Sequence, residues 1–178
     1  MEKGLVTAKQ TVPKRAAKGM AAVDRRSVRA GYVGVKRASA ADIYRATDLE
    51  RIAWIRAGIP AISLSILGAE MNIPQERLLT TLSLPRSTVG KKIRAKELLS
   101  ADQSERVLGL ERLIGQVEVM VEESGNASGF SAQHWLAEWL DRPLPALGGA
   151  KPADFMDTMV GQQLVSRLLA QSQSGAYA

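Results

Sequence analysis

The chain has no cysteine and a single histidine, His134, among its 178 residues. The first absence excludes a disulfide framework and thiolate zinc sites, and it fits a reducing compartment. The second excludes a multi-histidine metal cage and a pair of catalytic imidazoles. His134 sits beside Trp135 with no Ser, Cys or carboxylate arrangement around it, and reads as a surface or partly buried helical side chain. Aromatic residues make up only 4% of the chain, which suits aliphatic helix packing better than a β-sandwich. No apolar run approaches the roughly 18 residues of a transmembrane helix. No apolar core follows the N-terminal Lys and Arg, so no secretory signal is expected. Metal-ligand spacing is missing as well, and the Gly148-Gly149 pair lacks the Lys-Ser/Thr that completes a phosphate loop. The expectation is a cytoplasmic protein that is not an enzyme and holds no metal or cofactor.

What the chain does have is charge, unevenly placed. The formal net charge is +6, but residues 1–96 carry +12 and residues 97–178 carry −6. The front half therefore seeks anions, nucleic acid first among them, and the back half answers to another partner. A merely solubilising basic arm is the plainer reading of the same excess.

Residues 1–46 are rich in Lys, Arg, Ala and Gly with weak apolar periodicity, and read as a flexible basic arm. Order is expected from Thr47, where Thr47-Asp48-Leu49-Glu50 forms a capping box. The helix behind it runs to Gly58, with Leu49, Ile52 and Ile55 as its apolar stripe. A second helix, from Pro60 to about Met71, carries Ile62, Ile66 and Ala69. Pro74–Leu82 forms a third, with Leu78, Leu79 and Leu82 inward, and a fourth begins near Arg86. Ser100-Ala101-Asp102-Gln103 caps the longest helix, to about Glu123. Its Val107, Leu110, Ile114, Val117 and Val121 make a short heptad seam, for packing within the subunit or for a dimer contact. Ser131–Leu140 carries the pairs Trp135/Trp139 and Leu136/Leu140, which read as core. The last helix, Thr158–Gln171, follows with Val160, Leu164, Leu168 and Leu169. No strand signature stands out; the chain is expected to be all-α, with a helix-turn-helix region at 47–100 and a C-terminal helical domain at 101–178.

Residues 73–96 have the shape of a helix-turn-helix: a bracing helix, a tight break and a second short helix with a polar, basic outer face. Arg86, Ser87, Thr88, Lys91 and Lys92 would face outward. Ser87 and Thr88 lie at the N-terminal end, where such helices meet base edges, while Lys91, Lys92 and Arg94 suit phosphate contact. A solvated basic helix in an ordinary bundle is the alternative. Gly90 costs that helix about 1 kcal/mol relative to Ala. Ser83 stands where such turns usually place Gly for its left-handed backbone.

The segment Pro145-Ala146-Leu147-Gly148-Gly149-Ala150-Lys151-Pro152, followed by Met156-Asp157-Thr158 and Gly161, resembles the C-terminal toxin-binding domain of Xre-type antitoxins. Those belong to bacterial RES–Xre toxin–antitoxin pairs. Trp135-Leu136 and the ending Ser174-Gly175-Ala176-Tyr177-Ala178 add to the likeness, and Asp48–Gln103 is similar to the family's N-terminal helical region. The resemblance implies a non-enzymatic antitoxin that neutralises a cognate RES-type, NAD-consuming toxin and represses its own operon as a homodimer on operator DNA. It implies toxin contacts at Leu147, Gly148, Gly149, Lys151, Pro152, Gly175, Tyr177 and Ala178, the tail reaching the toxin's active site. There Tyr177 would supply a flat anchor, and the terminal carboxylate would pair with an arginine. A stand-alone helix-turn-helix regulator with a C-terminal dimerisation or sensing domain is the other reading.

Overall fold

Helix starts in this chain are set by serine and threonine. Ser39, Thr47 and Ser100 each accept a bond from the backbone N–H three residues on, and Asp42, Glu50 and Gln103 each return a side-chain acceptor to the cap's own N–H. Each reciprocal pair satisfies two donors that a helix start leaves free. The structure, a computed structural model, describes residues 38–125 and 128–173. It holds eight α-helices among the described residues: α1 Ala40–Arg45, α2 Asp48–Ala57, α3 Ser63–Glu70, α4 Gln75–Thr81, α5 Arg86–Arg94, α6 Ala101–Glu123, α7 Ala132–Leu140 and α8 Met159–Gln173. Two 3₁₀ turns, Pro145–Leu147 and Pro152–Phe155, join α7 to α8. An isolated antiparallel bridge joins Pro60 to Leu98. The protein is all-α, as its periodicities imply.

The 23-residue α6 is the axis of the fold. Val107, Leu110, Ile114 and Val117 are buried on it, and α1, α2, α7 and α8 all pack against it. The heptad-spaced seam is thus filled from within the subunit. Two buried amides fasten α8 to this axis. Gln162 Nε2 donates to the Arg106 carbonyl at 3.1 Å and to the Met156 carbonyl at 3.0 Å. Gln116 Nε2 donates to the Ser166 carbonyl at 2.9 Å, and Ser166 Oγ donates back to Gln116 Oε1 at 2.6 Å.

Order begins earlier than the capping box at Thr47. Ser39 starts α1, whose Ala41 and Ile43 are buried. A Cβ on Gly115 of α6 would lie 1.9 Å from the Ala40 carbonyl oxygen, so only glycine admits α1 at this approach. The Ala41 N–H donates to Glu118 Oε2 at 2.9 Å, and Arg45 pairs with Glu122 at 2.6 Å. Residues 38–46 therefore belong to the folded body, which corrects their assignment to a flexible arm; the remaining arm residues, 1–37, lie outside the described residues.

Three expected stripes face differently. In α2, Leu49 is 64% and Ile52 41% exposed, and no residue of that helix is fully buried. The helix rests on α6 beside an open cavity of about 300 Å³ that Ile52 and Ile55 line with Arg112 and Gln162. At α3, Ile62 just before the helix and Ile66 within it are exposed while Leu64, Leu67 and Gly68 are buried. Two apolar stripes overlap on that helix, and the one continuous with Met71 faces the core. In α8, Val160 is 75% exposed, and Val165, Leu168 and Leu169 take the buried face. The tryptophans behave as core: Trp139 is buried and stacks on Trp135 with centroids 6.2 Å apart and planes 16° from parallel.

Candidate functional site

The first surface is built on α4 and α5. Leu78, Leu79, Leu82, Leu84 and Val89 are buried beneath it and fix the two short helices to each other. The turn between them places Ser83 at φ +49°, the left-handed conformation that such a turn requires. Its carbonyl accepts from Arg106 NH1 of α6 at 2.8 Å, which holds the turn to the axis helix. From this base α5 presents Arg86, Ser87, Thr88, Lys91 and Arg94 to solvent. Lys92 departs from the expected outward set. It is half-buried, and its Nζ donates to the Leu98 carbonyl at 2.7 Å, closing the chain that returns from α5 to α6. Arg86 is paired with Glu76 at 3.1 Å across the two helices. Gly90 has open space, a Cβ there meeting nothing nearer than Arg94 NH1 at 3.8 Å.

The second surface is a closed loop between α7 and α8. The Leu144 N–H donates to the Ala150 carbonyl at 3.1 Å, and the Leu144 carbonyl accepts from Leu147 at 2.9 Å and Gly149 at 3.0 Å. These bonds gather residues 144–150 into a rigid knuckle. Its tip carries Gly148 at φ +63° and Gly149 at φ +87°, a pair of left-handed residues with no atom within 4 Å of a Cβ on either. The glycines are there for the turn, and the space above them is free. Leu147 is half-buried and packs toward the core, whereas Lys151 is exposed. Pro152 is buried and anchors the knuckle from beneath. Gly161 is likewise internal: a Cβ would lie 1.9 Å from the Phe155 carbonyl oxygen. Gly175, Tyr177 and Ala178 lie outside the described residues.

Asp141, at the C-terminal end of α7, joins the two surfaces. It pairs with Lys151 at 3.6 Å through Oδ1, and with Arg77 of α4 through Oδ2. Sequence reading missed both Asp141 and Arg77, because nothing local relates residues 64 positions apart. It also missed the exposure of Val160, although that residue stands between Asp157-Thr158 and Gly161.

Residues 129–175 match the family described as the antitoxin Xre/MbcA/ParS C-terminal toxin-binding domain. Residues 50–112 match the antitoxin Xre-like helix-turn-helix domain. The chain is also 50% identical, over 136 residues, to a protein of Sphingobium sp. (strain YBL2) named "Prs ADP-ribosylating antitoxin". That alignment covers 76% of this chain and 86% of the relative. The chain belongs to the Xre-type antitoxins. In the antitoxin the knuckle at 144–150 falls within the toxin-binding match, and α4 and α5 fall within the helix-turn-helix match. The match at 50–112 also takes in the first half of α6, including Arg106, whose bond holds the Ser83 turn. The rest of α6 lies between the two matches, and the helix packs against elements of both. No described helix is long and apolar enough to cross a membrane.

Proposed function

We propose that the antitoxin binds and neutralises a cognate RES-type toxin, an NAD-consuming enzyme, and represses its own operon as a homodimer in the cytoplasm. The observation that carries this reading is the knuckle at 144–150, a preformed loop with an open glycine tip inside the segment matching the toxin-binding domain. A loop ordered before binding loses little conformational freedom on docking, which favours a tight protein complex. The name of the Sphingobium relative joins ADP-ribosylation of Prs to an antitoxin. It supports ADP-ribosyl transfer as the reaction that this antitoxin restrains, with Prs as the acceptor. The antitoxin itself acts by occupation, without catalysis.

Leu147, Gly148, Gly149 and Lys151 are the contacts proposed on the knuckle, and Gly175, Tyr177 and Ala178 are those proposed on the tail. On α5, Ser87 and Thr88 read base edges while Arg86, Lys91 and Arg94 meet phosphates. A homodimer follows from the way such helices engage palindromic half-sites in pairs.

Co-expression with the product of the adjacent gene tests the proposal, with growth and complex formation scored together. Protected growth and a stable complex are expected. Removal of Tyr177 and Ala178 is expected to release toxicity while the complex still forms. Full protection by the truncated chain would remove the tail from the mechanism. A neighbour that neither inhibits growth nor binds would favour a stand-alone regulator.

A further inference from the structure

The structure links the knuckle to the DNA-reading unit through charge. Lys151 leaves the knuckle directly after Ala150 and lies 3.6 Å from Asp141. Asp141 is fixed at the end of α7, where its N–H donates to the Glu138 carbonyl at 3.2 Å. The other carboxylate oxygen holds Arg77, on the third residue of α4. Glu76, one residue before Arg77, pairs in turn with Arg86, the first residue of α5. Charges of alternating sign thus run from the knuckle to the helix that faces DNA.

One carboxylate serving two cations holds each less firmly than it would hold either alone. The first helix of a helix-turn-helix crosses the DNA backbone, which puts Arg77 on the element nearest phosphate. We propose that Asp141 couples the two binding surfaces of the antitoxin. When an acidic group on the toxin draws Lys151 away, Asp141 keeps Arg77 as its remaining partner, and DNA is held less tightly. Both electrostatic consequences have the same sign: Arg77 is less free to meet a phosphate, and the charge of Asp141 is less compensated beside a polyanion. This coupling rests on the proposal that α5 reads DNA and the knuckle meets the toxin.

The test needs no toxin, because Lys151→Gln reproduces the loss of the lysine charge from Asp141. Binding of the full chain to a duplex carrying the region upstream of its own coding sequence is followed by fluorescence anisotropy at several salt concentrations. Lys151→Gln is expected to weaken binding about two- to fivefold, the range of an exposed ion pair. Asp141→Asn is expected to tighten it by a similar factor and to steepen the salt dependence by about one phosphate contact. In the Asp141→Asn background, Lys151→Gln is expected to have no further effect. Arg167→Gln, on the exposed face of α8, removes an equal charge and serves as the control that leaves affinity unchanged. An unchanged affinity for Lys151→Gln, or an equal effect of it with and without Asp141, would overturn the coupling while leaving the DNA reading intact. Failure of the wild-type chain to bind would remove the DNA reading and the coupling together.

Discussion

Single residues carry opposite pH dependences in this protein. Glu118 is partly buried, and desolvation pushes its carboxyl above the ordinary value of 4.5; bonds from Ala41 and Gln133 oppose this, while Glu122 and Glu70 add to it. A carboxyl raised in the folded state favours folding only while protonated, so its contribution is present below the unfolded value and lost as pH rises through the folded one. Glu118→Gln is therefore expected to stabilise the protein at neutral pH. That gain is expected to vanish below about pH 4.5, as followed by urea denaturation across pH. Asp42 and Glu50 behave the other way. Hydrogen bonds from Ser39 and Thr47 hold their carboxyls below the usual range, so the two caps weaken on acidification. Ser83 gives a third expectation at this scale. Its left-handed backbone disfavours any residue with a Cβ, and Ser83→Gly is expected to raise stability by about 0.5–1 kcal/mol, read as a shift in denaturation midpoint. The need for a left-handed residue there was legible in the sequence, from the position of Ser83 in the tight break between the two short helices. The desolvation of Glu118 was not, because it depends on α1 arriving from 77 residues away.

At the scale of elements, the sequence was most informative where a local rule acts alone. The boxes at Thr47 and Ser100, the proline-led α4 and the polar face of α5 all follow from neighbours within four residues. Burial was less legible because it depends on which of two overlapping stripes finds a partner. Ile62, at the cap of α3, and Ile66 make an i,i+4 pair, yet the Leu64–Leu67 stripe meets the core. The small helix α1 was hidden for a related reason. Its docking depends on a glycine in another element, and nothing within the segment announces it. Gly115→Ala is accordingly expected to displace α1 and to destabilise the protein by about 1–3 kcal/mol, since the added methyl overlaps the Ala40 carbonyl. Thermal unfolding checks this, and a stability change below about 0.5 kcal/mol would show that α1 does not depend on the close approach. Gly90→Ala is the contrasting case: with open space at its Cβ, it is expected to stabilise α5 by up to about 1 kcal/mol.

At the scale of the whole molecule, the division of charge maps onto two surfaces carried by one axis. The excess of +12 over residues 1–96 includes α4 and α5, and the −6 over residues 97–178 includes the knuckle. Because α6 packs against elements from both regions, neither surface stands on a separate body. The knuckle was legible as a motif, in Pro145 to Pro152, but the division of labour within it was not. Gly148 and Gly149 shape the tip while Pro152 is buried as an anchor, a distinction that only packing reveals. The central claim is that the two surfaces serve different partners. Its most direct test is retention of the adjacent gene's product, the proposed toxin, by the tagged antitoxin, measured for Gly148→Glu on the knuckle and for Arg86→Ala combined with Lys91→Ala on α5. The account predicts that Gly148→Glu loses the toxin while still binding DNA, and that the α5 variant retains the toxin fully. Retention of the toxin by Gly148→Glu together with its loss by the α5 variant would contradict the account.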